Sequence, residues 1–259
     1  MGQAVLYPLV VLYQILLALI VFVAFGTEAA MGFGCNVLAV TLAVHLFPLD
    51  LLLPVLVSLN LVVSTYIVVR HRQTIDLRVL GARILPLMLL GMPAGMLLFR
   101  QGSSGALKLG FGVFVVALAA IELVRLRLRP DGEVSRLPMW KGAVVLLLGG
   151  LMHGLYASGG PMAVYFSSRE LQDKARFRST LSLLWLLLNL VLVGGYLWQG
   201  VLGRAALERV AQNLVPLCAG IWAGEWLHGR INQRTFRLLV FLLLLAGGIV
   251  LVVSTLGRA

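Results

Sequence analysis

Two ionisable and two amide side chains stand where water is scarce. Glu28 and His153 lie just before two glycine-rich turns, and Asn60 and Asn189 lie in the middle of apolar runs. A carboxyl and an imidazole are groups that exchange protons, and ionisable residues inside a membrane span are functional candidates by default. Glu28 and His153 could therefore carry a proton coupled to the movement of an ion. A structural hydrogen bond or a solvent-facing position is the plainer role for each. An amide in hydrocarbon must find a partner. The NH₂ groups of Asn60 and Asn189 can donate to a bound oxyanion, or the amides can join two helices. Trp185 lies four residues before Asn189, on the same helix face, where it could wall a site or pack against core or lipid.

The glycine turns supply a second kind of chemistry. One runs from Gly26 to Gly34, the other from His153 to Pro161. Gly159 and Gly160 allow a tight turn with exposed backbone, and Pro161 suits the first position of a helix. The freed N–H groups of Ser158 to Met162, at the positive end of the helix dipole, would favour an anion. Gly32, Gly34, Cys35 and Asn36 would offer the same from the opposite side. Glycines that only let helices pack closely are the alternative reading.

Other chemistries find little support. Ser158 and His153 invite comparison with an intramembrane serine hydrolase, but Tyr156 stands where a glycine two residues before the nucleophile is wanted. The four histidines are scattered, no HExxH occurs, and Cys35 and Cys218 form no CxxC pair, so neither a metal nor a disulfide framework is expected. No cofactor is implied, and the expected reading is not an enzyme. Glu225 lies one turn before His228 and close to Arg230, which reads as a local ion pair reaching the membrane interface.

These residues must be positioned by membrane helices. The 259 residues are 60% hydrophobic and 12% charged, with a mean hydropathy of +0.99. A soluble domain carries about 25% charged residues. Ten apolar runs span 8–26, 30–47, 51–69, 79–99, 105–124, 138–157, 161–171, 179–198, 212–229 and 235–256. Most approach the roughly 20 residues of one helical crossing, and they are too long and continuous for barrel strands. The run after the second glycine turn is too short to span and reads as a half-helix in a hairpin. The first thirteen residues hold no Lys or Arg, so the first span is expected to be retained rather than cleaved as a signal.

The net charge of +11 is a topology signal rather than a sign of nucleic-acid binding. With the N-terminus outside and each hairpin returning to the face it left, sixteen of the 21 Lys and Arg residues fall in cytoplasmic loops, Arg178 among them. Arg100, Lys108, Arg204, Arg209 and Arg258 fall outside. The positive-inside rule favours this orientation and predicts both termini external. A shift of 129 residues places Asn60-Leu61-Val62 on Asn189-Leu190-Val191, Gly91, Ala94 and Gly95 on Gly220, Ala223 and Gly224, and Lys108-Leu109 on Arg237-Leu238. Five apolar segments per half make the halves face oppositely. The expected fold is an all-α integral membrane protein of 8–10 helical segments. It has two inverted repeats, 1–131 and 132–259, each with a broken or re-entrant hairpin plus three transmembrane helices. The polar linker around Pro130, Asp131 and Gly132 joins them. Paired broken helices in inverted repeats are the architecture of secondary transporters, whose site lies near the midplane.

The segment Met31-Gly32-Phe33-Gly34 through Phe47-Pro48, followed by the helix of Asn60, resembles the first half of sulfite-exporter-type transporters of the TauE/SafE family. Gly154-Leu155-Tyr156-Ala157-Ser158-Gly159-Gly160-Pro161 resembles the glycine motif of that family's second half. The resemblance runs from about residue 15 to 255. It implies transport of sulfite, organosulfonates or related sulfur-containing or carboxylate anions. The reading is a secondary transporter of the bacterial inner membrane, working by alternating access and proton-linked or potential-driven, with a passive anion channel as the alternative. The expected partners are a small anionic substrate and the lipid bilayer, and a homo-oligomer is compatible with the sequence. The site would comprise Gly32, Gly34, Cys35, Asn36, Asn60, Ser158, Gly159, Gly160, Pro161, Trp185 and Asn189, with Glu28 and His153 as proton carriers.

Overall fold

In the computed structural model, residues 2–128, 137–171, 173–228, 230 and 233–257 are described, and they are almost wholly helical with no strand among them. The linker expected to join the repeats, with the boundary at 131/132, falls outside the described residues. Helix α1 (Gly2–Met31) ends at a bend of Gly32, Phe33 and Gly34, and α2 (Cys35–Ala43) packs back on it. Helix α3 (Leu49–Arg70) follows. Then α4 (Leu77–Val79) runs through one π-helical stretch (Leu80–Ile84) into α5 (Leu85–Gln101), and α6 (Ser104–Leu128) comes next. The second half holds α7 (Met139–Tyr156), α8 (Gly160–Glu170), α9 (Lys174–Trp198), α10 (Arg204–Gln212), α11 (Leu214–His228) and α12 (Gln233–Leu256).

Among the described residues, six helical stretches are long and apolar enough to cross a bilayer: Val11–Met31, Leu49–Arg70, Leu77–Gln101, Gly105–Leu128, Met139–Tyr156 and Lys174–Trp198. The distribution of polarity agrees. Leu90, Val215 and Trp222 point outward at 71%, 78% and 73% exposure, whereas Glu28, Asn60, His153 and Asn189 are buried. An apolar outside around a polar interior is the arrangement that lipid stabilises and water does not.

Each long helix of one half pairs with a helix of the other. On α1, Gly220 of α11 meets the Phe22 carbonyl and Gly224 meets that of Gly26, while His228 Nδ1 lies 2.6 Å from Ala30 O. The contacts advance in step, so α1 and α11 run parallel. Helices α5 and α7 pair in the same sense: Gly91 and Gly95 meet the carbonyls of Leu147 and Leu151, and Gly150 and Gly154 meet those of Met88 and Met92. A Cβ at any of these positions would run into backbone, which is why small residues stand there. By contrast α3 and α9 are antiparallel, since Asn60 meets Asn189 while Thr74 meets Ser179 further along. Helices α6 and α12 are antiparallel too, with Gly112 near Val252 and Gly248 near Val116.

Several boundaries depart from expectation. The first break falls at 32–34 and not at Gly26, which is helical and packed on Gly220. Gly32 and Gly34 have φ of 82° and 102°, a region that costs an L side chain about 1–2 kcal/mol, so the helix stops there. The arm after it has nine residues, as short as the eleven of α8, although the sequence showed a run from 30 to 47. Helix α10 was not expected. The Asn213 amide donates to the Arg209 carbonyl at 2.8 Å, and this local bond competes with the helix and separates α10 from α11.

Candidate anion-binding site

The two breaks meet at one small cavity, with about 20 Å³ open to the centres of water molecules. Helices α2 and α8 both begin there, since Gly34, Cys35 and Asn36 line it from one side and Ala157, Ser158 and Gly160 from the other. In α2 the first carbonyl in use is that of Gly34, which accepts from Leu38 N at 3.0 Å. In α8 it is that of Gly159, which accepts from Ala163 N at 3.3 Å. The N–H groups ahead of those acceptors lie at the positive ends of the two helix dipoles.

Between the two helix starts runs a chain of hydrogen bonds. The Asn189 amide donates to Asn60 Oδ1 at 2.6 Å, and the Asn60 amide donates to Glu28 Oε1 at 2.8 Å. At the other end His153 Nε2 lies 3.1 Å from Asn189 Oδ1. An amide oxygen can only accept, so the proton sits on Nε2. All four side chains are at most 2% exposed. Asn60 and Asn189, which the 129-residue shift aligns, and Glu28 and His153, which stand at nearly matching places by the two turns, thus form one row. Ser64 Oγ adds a second donor to Asn60 Oδ1 at 2.9 Å.

The row is dressed differently at its two ends. Glu28 Oε2 accepts the backbone N–H of Cys35 at 3.3 Å, so the carboxyl already caps the start of α2. The Asn60 amide also reaches Cys35 Sγ at 2.9 Å, and the thiol donates to Asn36 Oδ1 at 3.4 Å. Asn36 in turn donates to the Ala157 carbonyl at 2.9 Å, tying the first break to the second. At the far end His153 Nδ1 is buried without a hydrogen-bond partner. The His153 ring stacks on Trp185, with centroids 5.8 Å apart and planes 19° apart, and Trp185 Nε1 donates to the Gly32 carbonyl at 2.9 Å.

Ten of the thirteen residues expected from the sequence line this cavity. Gly32, Gly159 and Pro161 do not. The Gly32 carbonyl is taken by Trp185, Gly159 fits against the Gly149 carbonyl, and Pro161 faces a neighbouring apolar cavity with Thr27, Phe33 and Leu118. Ser158 Oγ donates to the Tyr156 carbonyl at 2.9 Å, so the described hydrogen bonds do not join it to His153 as a hydrolase would need. Val37 and Ala157 also line the cavity, and no side-chain chemistry marked them in the sequence. Ala157 caps α7 at φ 50°, a left-handed conformation uncommon for alanine.

Two further residues were misread. Glu225 does not pair along its own helix. It is hydrogen-bonded by Arg178 of α9 and lies 4.0 Å from His71 Nε2, while Arg230 stacks over Trp226. Arg178, counted as a loop charge, is 4% exposed inside the bundle. The spacing 178, 182, 185, 189 on one face of α9 was the available signal. Burial, and then the Arg178 charge, hold His71 below the usual histidine range, so at neutral pH it leaves the Glu225 carboxylate to Arg178.

Long apolar helices with an apolar outside, around an interior of buried amides and ionisable side chains, make this a multi-pass membrane protein. The family model for the sulfite exporter TauE/SafE matches residues 16–251, and the chain belongs to that family. No curated protein and no solved structure matches it.

Proposed function

We propose that this protein is a secondary transporter of small oxyanions, with sulfite, organosulfonates and related carboxylates as its substrate class. It works by alternating access in the bacterial inner membrane. The observation that carries this reading is the meeting of two half-helix N-termini at a buried cavity where His153 Nδ1 has no partner. Backbone N–H groups and helix dipoles stabilise an anion there without a fixed positive charge. A neutral His153 offers only a lone pair at Nδ1. Protonation would turn that atom into a donor, so a proton and an anion can enter together. Glu28 is the second proton carrier, because its carboxylate already holds the start of α2 and repels a second anion while charged.

The helix directions support inverted halves. Parallel α1/α11 and α5/α7, with antiparallel α3/α9 and α6/α12, is the pattern expected if each half starts on the opposite face. Purified protein in liposomes tests the function directly, with uptake of sulfite, sulfoacetate and dicarboxylates measured against concentration. Saturable flux of at least one is expected, and linear or absent flux for all of them would overturn the carrier reading. External termini with cytoplasmic Arg70–Arg78 predict that cysteines placed at Gln3 and Arg72 react from opposite sides of the membrane.

A further inference from the structure

We propose that Arg178 is a second anion-binding station, and that Glu225 is a built-in carboxylate occupying it until a substrate anion takes its place. This deepens the transport reading above and rests on it. Four observations bear on it.

The first is burial. Arg178 sits in the second turn of α9 with its side chain 5% exposed, and its Nη2 donates to Glu225 Oε1. A buried guanidinium is costly unless an anion neutralises it.

The second is the inequality of the pair. The Glu225 side chain is 26% exposed against 5% for Arg178, so the carboxylate can withdraw into water and the guanidinium cannot. The member that leaves is the carboxylate, and the vacated fork then requires another oxyanion.

The third is spare donor capacity. Arg178 Nε is buried with no hydrogen-bond partner. A guanidinium grips two oxygens on one atom through parallel N–H groups, and a sulfite, a sulfonate and a carboxylate all present such a pair.

The fourth is position. Arg178, Ser182, Trp185 and Asn189 follow one face of α9, so Arg178 stands about 16 Å along the helix from the amide row. The first break packs against this stretch of α9. A Cβ on Gly32 would stand 2.9 Å from Arg178 Cα, and the Gly32 carbonyl is held by Trp185. When that turn moves away, an anion leaving the cavity meets Arg178 next.

Sulfite and sulfoacetate flux in proteoliposomes tests the station, comparing wild type with Glu225→Gln, Arg178→Lys, Arg178→Gln and the double Arg178→Gln/Glu225→Gln. Removing the competing carboxylate in Glu225→Gln should lower KM by about fivefold or more, and Arg178→Gln should raise it by about tenfold or more, with Arg178→Lys between. The double variant leaves no unpaired buried charge, so it should melt close to wild type in detergent and still show the raised KM. A pair that merely fastened α9 to α11 would shift kcat and melting temperature, and the double variant would recover the wild-type KM. That result overturns the station. Saturable wild-type flux with a KM indifferent to all four substitutions also overturns it, and leaves the transport reading standing. Absence of saturable wild-type flux overturns both.

Discussion

The two helix breaks answer the same structural problem with different chemistry. At the first, Gly32 and Gly34 take left-handed conformations, and Glu28 folds its own carboxyl over the start of α2. At the second, an alanine takes the left-handed position, no carboxylate caps α8 among the described hydrogen bonds, and His153 leaves one ring nitrogen unpartnered. One break comes with its anion built in; the other shows none among the described hydrogen bonds. On the transport reading proposed above, a substrate anion would bind against α8, with Glu28 as its neighbour and competitor. The difference teaches that two similar helix breaks can carry different charge: one has a carboxylate folded over its helix start, and the other presents an unpartnered imidazole nitrogen.

The largest effect should come from filling the first break. In Gly32→Ala the new Cβ would sit in left-handed backbone and 2.9 Å from Arg178 Cα. Strain and overpacking together should cost about 2–4 kcal/mol, read as a lowered melting temperature in detergent. Gly160→Ala is the matching change at the second break. Gly160 has ordinary helical backbone and nothing within 4 Å of an added Cβ, so its melting temperature should stay near wild type. Equal losses at the two sites would show that the breaks do not differ in strain.

How much of this was legible in the sequence depended on whether side chains or backbone did the work. The amides at Asn60 and Asn189 were visible as lone polar residues in apolar runs, and the 129-residue register that aligned them is the separation of their hydrogen bond. The glycine turns marked both half-helix starts. What could not be read was burial. Arg178 and Glu225 lie close to charged loops, and only packing of α9 against the Gly32 turn tells a buried arginine from a solvated one. Ala157 escaped because its conformation, not its type, places its carbonyl on Asn36. The break at Gly32 was blurred because Gly26 suggested an earlier stop, whereas Ala29 and Ala30 favour carrying the helix on to Met31.

The intermediate effects concern charge. Glu28→Gln keeps an acceptor for the Asn60 amide but removes the competing carboxylate, so anion KM should fall. His153→Gln removes the proton that turns Nδ1 into a donor, so KM should rise. A change of about tenfold in each direction corresponds to ~1.4 kcal/mol. Both variants should also flatten the pH dependence of flux. Shifts of the same sign in the two would remove the distinction between a filled and an open break.

The smallest effect is the most specific. Ala157→Gly should relieve the left-handed alanine at the end of α7 without touching a side-chain contact, since the residue serves through its carbonyl to Asn36. Glycine at such a helix end avoids the Cβ penalty, worth about 1 kcal/mol, partly offset by the greater freedom it gives the unfolded chain. A small rise in melting temperature with unchanged KM is expected. If KM rises while stability improves, the strain at Ala157 holds the second break in its binding geometry, and the two breaks are then alike in depending on strained backbone.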